Sequence, residues 1–311
     1  MEEERKLKER LKHEKRKVSS NNFSRIQTSL LSGAIAGACA KTCIAPLDRA
    51  KIIFQISSKE YSLLGAIKLL IKHAREDNIT SLWRGNSATL TRIVPYAAIH
   101  FAAYEQLKYN LRTDDNQKFL PPLRQILAGS TAGAVATLFT YPLDIARARL
   151  AVTKKHVYSN LYRAVVSVAR KEGVFNLWRG ITPSLIGILP YAGTSFFTFE
   201  TLKRLHFERK GTDASSLYKL LYGAIAGALG QTASYPLDIV RRRMQTAGLE
   251  VCSSPQGSML RTLIYVVRYE GGVLGLYKGL SMNWIKGPIS VTISFNVYEL
   301  TKNYLTQTQY F

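Results

Sequence analysis

Three aspartates carry the first chemical signal. Asp48, Asp144 and Asp238 each stand two residues after a proline and three before a base, Lys51, Arg147 and Arg241. An acid and a base at that spacing share a helix face and can pair locally. Threefold recurrence opens a second and better pairing, in which the acid of one copy meets the base of the next. That joins Asp48 with Arg147, Asp144 with Arg241, and Asp238 with Lys51. Such a ring must be weak enough to break, so its strength sets a barrier rather than simply a stability. A second set of charges closes each copy: Tyr104-Glu105 to Lys108, Phe199-Glu200 to Lys203, and Tyr298-Glu299 to Lys302. Two rings at opposite ends of a helical bundle suggest two gates that close alternately around a central site. Lone cations lie in otherwise uncharged stretches: Lys41, Arg92 and Lys286. A charge inside an apolar span is costly and marks a function. Three of them suit a multiply charged anion, and the alternative is that they snorkel or pair with the charge rings. Covalent chemistry has no comparable signal. The chain lacks GxxxxGK(S/T), GxSxG and HExxH, and its five histidines are scattered. Cys39, Cys43 and Cys252 make neither a disulfide framework nor a zinc pattern. The expectation is a protein that is not an enzyme and uses no metal or cofactor.

The elements that position these residues come from an internal repeat. Pro46-Leu47-Asp48 recurs as Pro142-Leu143-Asp144 and Pro236-Leu237-Asp238. Downstream follow Trp83-Arg84-Gly85, Trp178-Arg179-Gly180 and Tyr277-Lys278-Gly279, in the same order each time. Residues 125–143, 180–199 and 220–237 contain no charge. Residues 26–47, 85–104 and 279–298 are each interrupted by one Lys or Arg, at 41, 92 and 286. Each run is near the ~20 residues that a membrane-crossing helix requires. The reading is an all-α membrane protein of six transmembrane helices in three pseudo-symmetric repeats. The repeats run 24–112, 121–207 and 216–305, after a charged tail at 1–23. Shorter helical patterns at 61–73, 161–170 and 259–268 lie between the paired spans. Gly33/Gly37, Gly129/Gly133 and Gly223/Gly227 are small-xxx-small pairs expected to let helices approach closely.

Net charge is +22, which by itself admits nucleic acid, anionic lipid or an anionic solute. No nucleic-acid-binding module is present, and the charges sit at repeat positions, so nucleic acid is set aside. Mean hydropathy is only −0.05. The spans carry Ser, Thr, Asn, Gln and Tyr, as helices with one lipid face and one wet face must. The tail, with eight Lys/Arg and five Glu in its first 20 residues, reads as solvated rather than as a signal peptide.

On the triple Pro-x-Asp-x-x-Lys/Arg motif, residues 24–305 resemble the mitochondrial carrier family. The resemblance implies short matrix helices in the long loops, a monomer, and residence in the mitochondrial inner membrane with both termini on the cytosolic side. It makes the Asp48/Asp144/Asp238 ring a matrix gate and the Glu105/Glu200/Glu299 ring, with Tyr104 and Tyr298 beside it, a cytosolic gate. Gln55 and Gln245 match the family's brace position, where the second repeat has Ala151. The aromatic-base-glycine corners at 83–85, 178–180 and 277–279 match positions that help hold cardiolipin.

For the solute, Arg92, Gly187-Ile188 and Lys286-Gly287 align with the family's three substrate-contact positions. Lys41 matches a lysine of adenine nucleotide carriers. A Gly-Ile pair resembles carriers of adenine-containing nucleotides, glycine giving room and isoleucine packing on the base. Tyr191 can stack. His100, Ser195 and Asn296 are weaker candidates. Arg149 and Lys286 read as extra cations suited to nucleotides. The stretches Arg241-Arg242-Arg243-Met244-Gln245-Thr246-Ala247-Gly248 and Lys278-Gly279-Leu280-Ser281-Met282-Asn283-Trp284 are similar to members that carry coenzyme A. They imply import of coenzyme A or dephospho-coenzyme A in exchange for adenine nucleotides. The alternative is a general ADP/ATP or ATP-Mg/phosphate-like carrier.

Overall fold

The computed structural model describes residues 2–58, 61–112, 121–154, 157–249, 252 and 257–308, with side chains from Thr28 onward except at 122 and 308. The described chain has ten α-helices and no strand. They are α1 (Glu2–Ile56), α2 (Leu63–Glu76), α3 (Asn86–Asn110), α4 (Pro122–Val152), α5 (Leu161–Lys171), α6 (Ile181–Ile186), α7 (Ile188–Lys210), α8 (Ser216–Thr246), α9 (Met259–Tyr269) and α10 (Leu280–Thr308). The long helices are thus α1, α3, α4, the α6–α7 pair, α8 and α10. Thr28–Ile56 and Leu123–Val152 are long and apolar enough to cross a membrane. The side chains of the charged tail lie outside the described residues.

Two compact units form. One holds Ile44–Pro288; the other holds Met1–Cys43 with Ile289–Phe311. Within Ile44–Pro288, α3 packs along α4, and α7 along α8. Large apolar side chains are exposed along these helices, among them Phe101, Phe139, Phe197 and Leu220. Exposed apolar surface on this scale needs a non-aqueous neighbour, which the lipid face of a membrane bundle supplies.

The buried core gathers where the long helices meet the short ones. Ala66 of α2 packs on Ala50 and Phe54, Val168 of α5 on Tyr141 and Ile145, and Val266 of α9 on Tyr235 and Ile239. Each short helix starts on a side-chain cap. Ser62, Asn160 and Ser258 accept from the backbone N–H groups of Gly65, Arg163 and Arg261.

Pro46, Pro142 and Pro236 all lie inside helices, where a proline is expected to kink the chain. Past them α1, α4 and α8 run on for three turns, to Ile56, Val152 and Thr246. A proline removes one backbone donor and orphans the carbonyl four residues earlier. At Pro142 that carbonyl belongs to Leu138, and the Trp178 indole N–H donates to it at 2.9 Å. The extensions carry every residue of the first charge ring.

The glycine pairs are corrected except at Gly133, whose added Cβ would lie 3.8 Å from the Tyr96 hydroxyl of α3. A Cβ on Gly129, Gly223 or Gly227 would meet nothing within 4 Å. The close approach on α8 is at Gly230, whose added Cβ would lie 2.9 Å from the Tyr191 carbonyl oxygen. Spacing named a small face, but the helix crossing falls elsewhere along it.

Candidate functional site

The extensions of α1, α4 and α8 bring the three aspartates together with the bases of the neighbouring repeats. Arg147 Nη2 lies 2.6 Å from Asp48 Oδ2, Arg241 Nη2 lies 2.6 Å from Asp144 Oδ2, and Lys51 Nζ lies 2.7 Å from Asp238 Oδ2. The pairs are between repeats, and all three lie in the unit Ile44–Pro288. Gln245 Nε2 donates to Asp144 at 2.7 Å and to the Tyr141 hydroxyl at 3.1 Å. Gln55 Nε2 donates to Asp238 at 3.1 Å and to the Tyr235 hydroxyl at 3.2 Å. Each tyrosine in turn donates to a corner carbonyl, Arg179 or Lys278. The tyrosines stand immediately before Pro142 and Pro236, a position that no motif singled out.

Two of the lone cations belong to the same cluster. Arg92 of α3 donates from Nη1 to Asp144 Oδ1 at 3.1 Å and from Nε to the Thr140 hydroxyl at 3.1 Å. Lys286 of α10 donates to Asp48 Oδ1 at 2.5 Å. Arg242, which sequence reasoning placed only within a motif, comes to 3.6 Å of Asp144. Six basic side chains therefore converge on three aspartates, an excess of three positive charges.

Arg149 belongs elsewhere. It is fully buried and donates to both carboxylate oxygens of Glu172 and, at 3.0 Å, to the Gln245 carbonyl. Arg243 does the same in the third repeat, toward Glu270 and the Gln55 carbonyl. These arginines tie helix ends together and are not presented to a solute. Arg49 makes the corresponding tie in the first repeat, to the Ala151 carbonyl at 3.0 Å. The signal for Arg149 and Arg243 was the Glu-Gly after α5 and α9, placed to meet an arginine five residues beyond the ring aspartate.

The remaining candidates fall in several places. Arg92 sits over the Tyr96 ring, and Tyr96, His100 and Tyr104 continue the stack along one face of α3. Gly187 interrupts α6 and α7, and its missing side chain leaves room for the Leu237 side chain and the Pro183 carbonyl. The room there is taken by packing. Ile188 is half-buried and Tyr191 exposed beyond it. Ser195 donates to the Ala226 carbonyl at 3.1 Å. Gly287 has open space around it. Lys41 is exposed in the other unit, where Asn296 donates to the Thr292 carbonyl.

The second ring is not formed across repeats within Ile44–Pro288. Glu105 accepts from Lys108 of its own helix at 3.5 Å, and among the described residues Glu200 and Lys203 make no ion pair. In the other unit Lys302 lies over the Tyr298 ring, and Glu299 is exposed. Among the described residues no cluster of His, Cys, Asp or Glu has metal-binding geometry.

The model of the mitochondrial carrier protein family matches residues 23–115, 118–210 and 212–309. The chain belongs to the mitochondrial carrier family. Within that family it is 52% identical over 291 residues to the mitochondrial coenzyme A transporter SLC25A42 of Xenopus laevis, covering 93% of this chain and 88% of that one. It is 50% identical over 298 residues to the human protein of the same name, covering 94% and 92%. It is 39% identical over 292 residues to mouse solute carrier family 25 member 16, covering 89% and 87%. The carrier fold accounts for the threefold recurrence of the ion pairs and for the apolar outer surface.

Proposed function

We propose that this carrier resides in the mitochondrial inner membrane and imports coenzyme A, or dephospho-coenzyme A, in exchange for adenine nucleotides by alternating access. The observation that carries the reading is the excess of three positive charges around Asp48, Asp144 and Asp238. Uncompensated charge in a partly desolvated site favours a polyanion. Coenzyme A and ADP both place several phosphate charges beside an adenine. The names of the relatives that are about half identical favour coenzyme A over other nucleotides. Arg92 and Lys286 are the cations offered to the phosphates. Ile188, Tyr191 and the α3 stack offer apolar and aromatic surface to the base. Closed pairs at the aspartate ring, with no cross-repeat pair between Glu105 or Lys108 and Glu200 or Lys203, fit a carrier shut toward the matrix.

Exchange needs no covalent step, so no catalytic group is assigned. Cardiolipin is proposed at the corners, where Arg84 and Gly85 border a cavity of about 370 Å³ with Ser159 and Asn160. The test is uptake of labelled coenzyme A by liposomes holding the purified carrier. Uptake from ADP-loaded vesicles alone supports exchange, and Arg92→Ala should abolish it while the protein stays folded. Uptake of ADP without coenzyme A would move the protein to the general adenine nucleotide carriers.

A further inference from the structure

The three seams of the aspartate ring are built differently. Asp144 carries a glutamine amide on Oδ2 beside Arg241, and Asp238 carries one on Oδ2 beside Lys51. Asp48, at the seam between the first and second repeats, has no such amide. Ala151 stands where Gln55 and Gln245 stand, and Ala45 stands where Tyr141 and Tyr235 stand. Ile53 replaces the second arginine, the one that reaches Glu172 and Glu270 in the other repeats. Arg49 and Arg84 do hold this seam, but through backbone carbonyls of Ala151, Leu150 and Tyr158 and not through Asp48.

With the brace position vacant, the second donor to Asp48 beside Arg147 is Lys286, on the oxygen that Arg92 takes at Asp144. Its ammonium donates to Oδ1 at 2.5 Å while Arg147 holds Oδ2 at 2.6 Å. Unlike the two glutamines, Lys286 comes from α10 and is one of the cations offered to the solute. Arg92 plays the corresponding part at Asp144, but there Arg241 and Gln245 remain if it leaves. Asp238 has no donor of this kind; its ion pair is with Lys51 and its amide comes from Gln55.

We propose that Lys286 is a substrate-released latch on the seam between the first and second repeats. The proposal rests on the reading that Lys286 binds the anionic solute. A phosphate that draws Lys286 off Asp48 leaves that carboxylate with Arg147 alone, so this seam yields before the other two. Binding of the solute and weakening of the gate are then one event at one ammonium group. The seam with glutamine and no solute-reading cation, at Asp238, stays closed longest and acts as the pivot.

The test installs the missing brace. Ala151→Gln places an amide where Gln55 and Gln245 reach their aspartates. Wild type, Ala151→Gln, Lys286→Ala and the double variant are compared by thermal unfolding in detergent without nucleotide. Ala151→Gln should raise the midpoint by about 2–4 °C in the Lys286→Ala background, where Asp48 keeps only Arg147, and by clearly less in wild type, where the Lys286 charge already compensates the carboxylate. In liposomes, Ala151→Gln should lower the maximal exchange rate about fivefold with KM within about twofold, because its amide stays when Lys286 leaves. Equal midpoint shifts in both backgrounds, or an unchanged maximal rate, overturn the latch. If Ala151→Gln does not fold, Lys286→Gln takes its place, a donor that no anion can draw away. The latch then requires a lower maximal rate for Lys286→Gln than for Lys286→Ala, and the reverse order overturns it. The midpoint comparison uses no solute. It therefore decides the contact at Asp48 even if the vesicles take up no coenzyme A, a result that sinks only the proposed cargo.

Discussion

Glu270 is surrounded by donors. Arg243 grips both carboxylate oxygens, and Lys278 donates to one of them at 3.0 Å. Neither Glu270 nor Arg243 exposes any side chain to solvent. Burial pushes the Glu270 carboxyl up, and the bonds and charge of Arg243 and Lys278 overcome it, so the group sits below its ordinary value near 4.5. A buried pair broken on one side leaves the other charge stranded, which costs about 3–5 kcal/mol. Glu270→Gln should therefore lower the unfolding midpoint strongly. Glu172→Gln should cost less, about 1–3 kcal/mol, because Glu172 keeps 31% of its side chain in water. The sign with pH follows from the lowered value. Stability from Glu270 is fully present above its unfolded value and is lost as pH falls through the folded one. The midpoint gap between wild type and Glu270→Gln should be constant near neutrality and shrink below about pH 4.5. A gap that narrows between pH 8 and 6 would refute this assignment.

At the scale of the element, the decisive feature is the corner that starts α3, α6 and α10. Gly85, Gly180 and Gly279 have φ of +86°, +86° and +82°. Side-chain-bearing residues rarely hold that conformation. Each glycine also presses against the gate extension of the next repeat. A Cβ would lie 2.9 Å from the Arg147 carbonyl at Gly85, and 3.1 Å from both the Arg241 carbonyl and the Tyr141 hydroxyl at Gly180. The corner therefore seats the helix that carries the ring base. Gly180→Ala should destabilise by about 1–3 kcal/mol, seen as a lower unfolding midpoint. Gly227→Ala, in a helix with open space around the site, should be neutral or stabilising by up to about 1 kcal/mol. A Gly180→Ala protein as stable as Gly227→Ala would show that the corner does not hold the ring helix in place.

At the scale of the whole molecule, the ring can be tested by exchanging partners, and the structure says where. Exchanging charges at Asp48 and Arg147 sets a new lysine beside Lys286, which is already within 2.5 Å of that carboxylate. Recovery there should fail. Asp238 has one ion pair, with Lys51, and an amide that can turn to suit either charge. Lys51→Asp with Asp238→Lys should regain a substantial part of the exchange that each single change loses. Recovery in liposomes at Asp48/Arg147 but not at Lys51/Asp238 would contradict the contact map.

Repetition made the carrier fold and the three inter-repeat pairs readable in the chain. Three acids and three bases in a constant register have few ways to meet, and the spans between them have the length and apolarity of membrane helices. What recurs is visible without coordinates. What differs between repeats acquires meaning only from its neighbours. Ala45, Ile53 and Ala151 are three unremarkable residues until the fold shows that they face one seam and leave Asp48 without an amide. Arg149 looked like a cation for a nucleotide because its partner, Glu172, is 23 residues away on another helix. Arg92 and Lys286 were legible as costly charges in apolar spans that either meet an anion or pair with the rings, but which aspartate each one meets was not. Those contacts cross 52 and 238 residues of sequence. Local spacing fixes the face of a helix on which a charge stands. Only the packing of one helix against another decides which opposite charge lies within reach, because Coulomb attraction in a desolvated site is settled over a few ångströms.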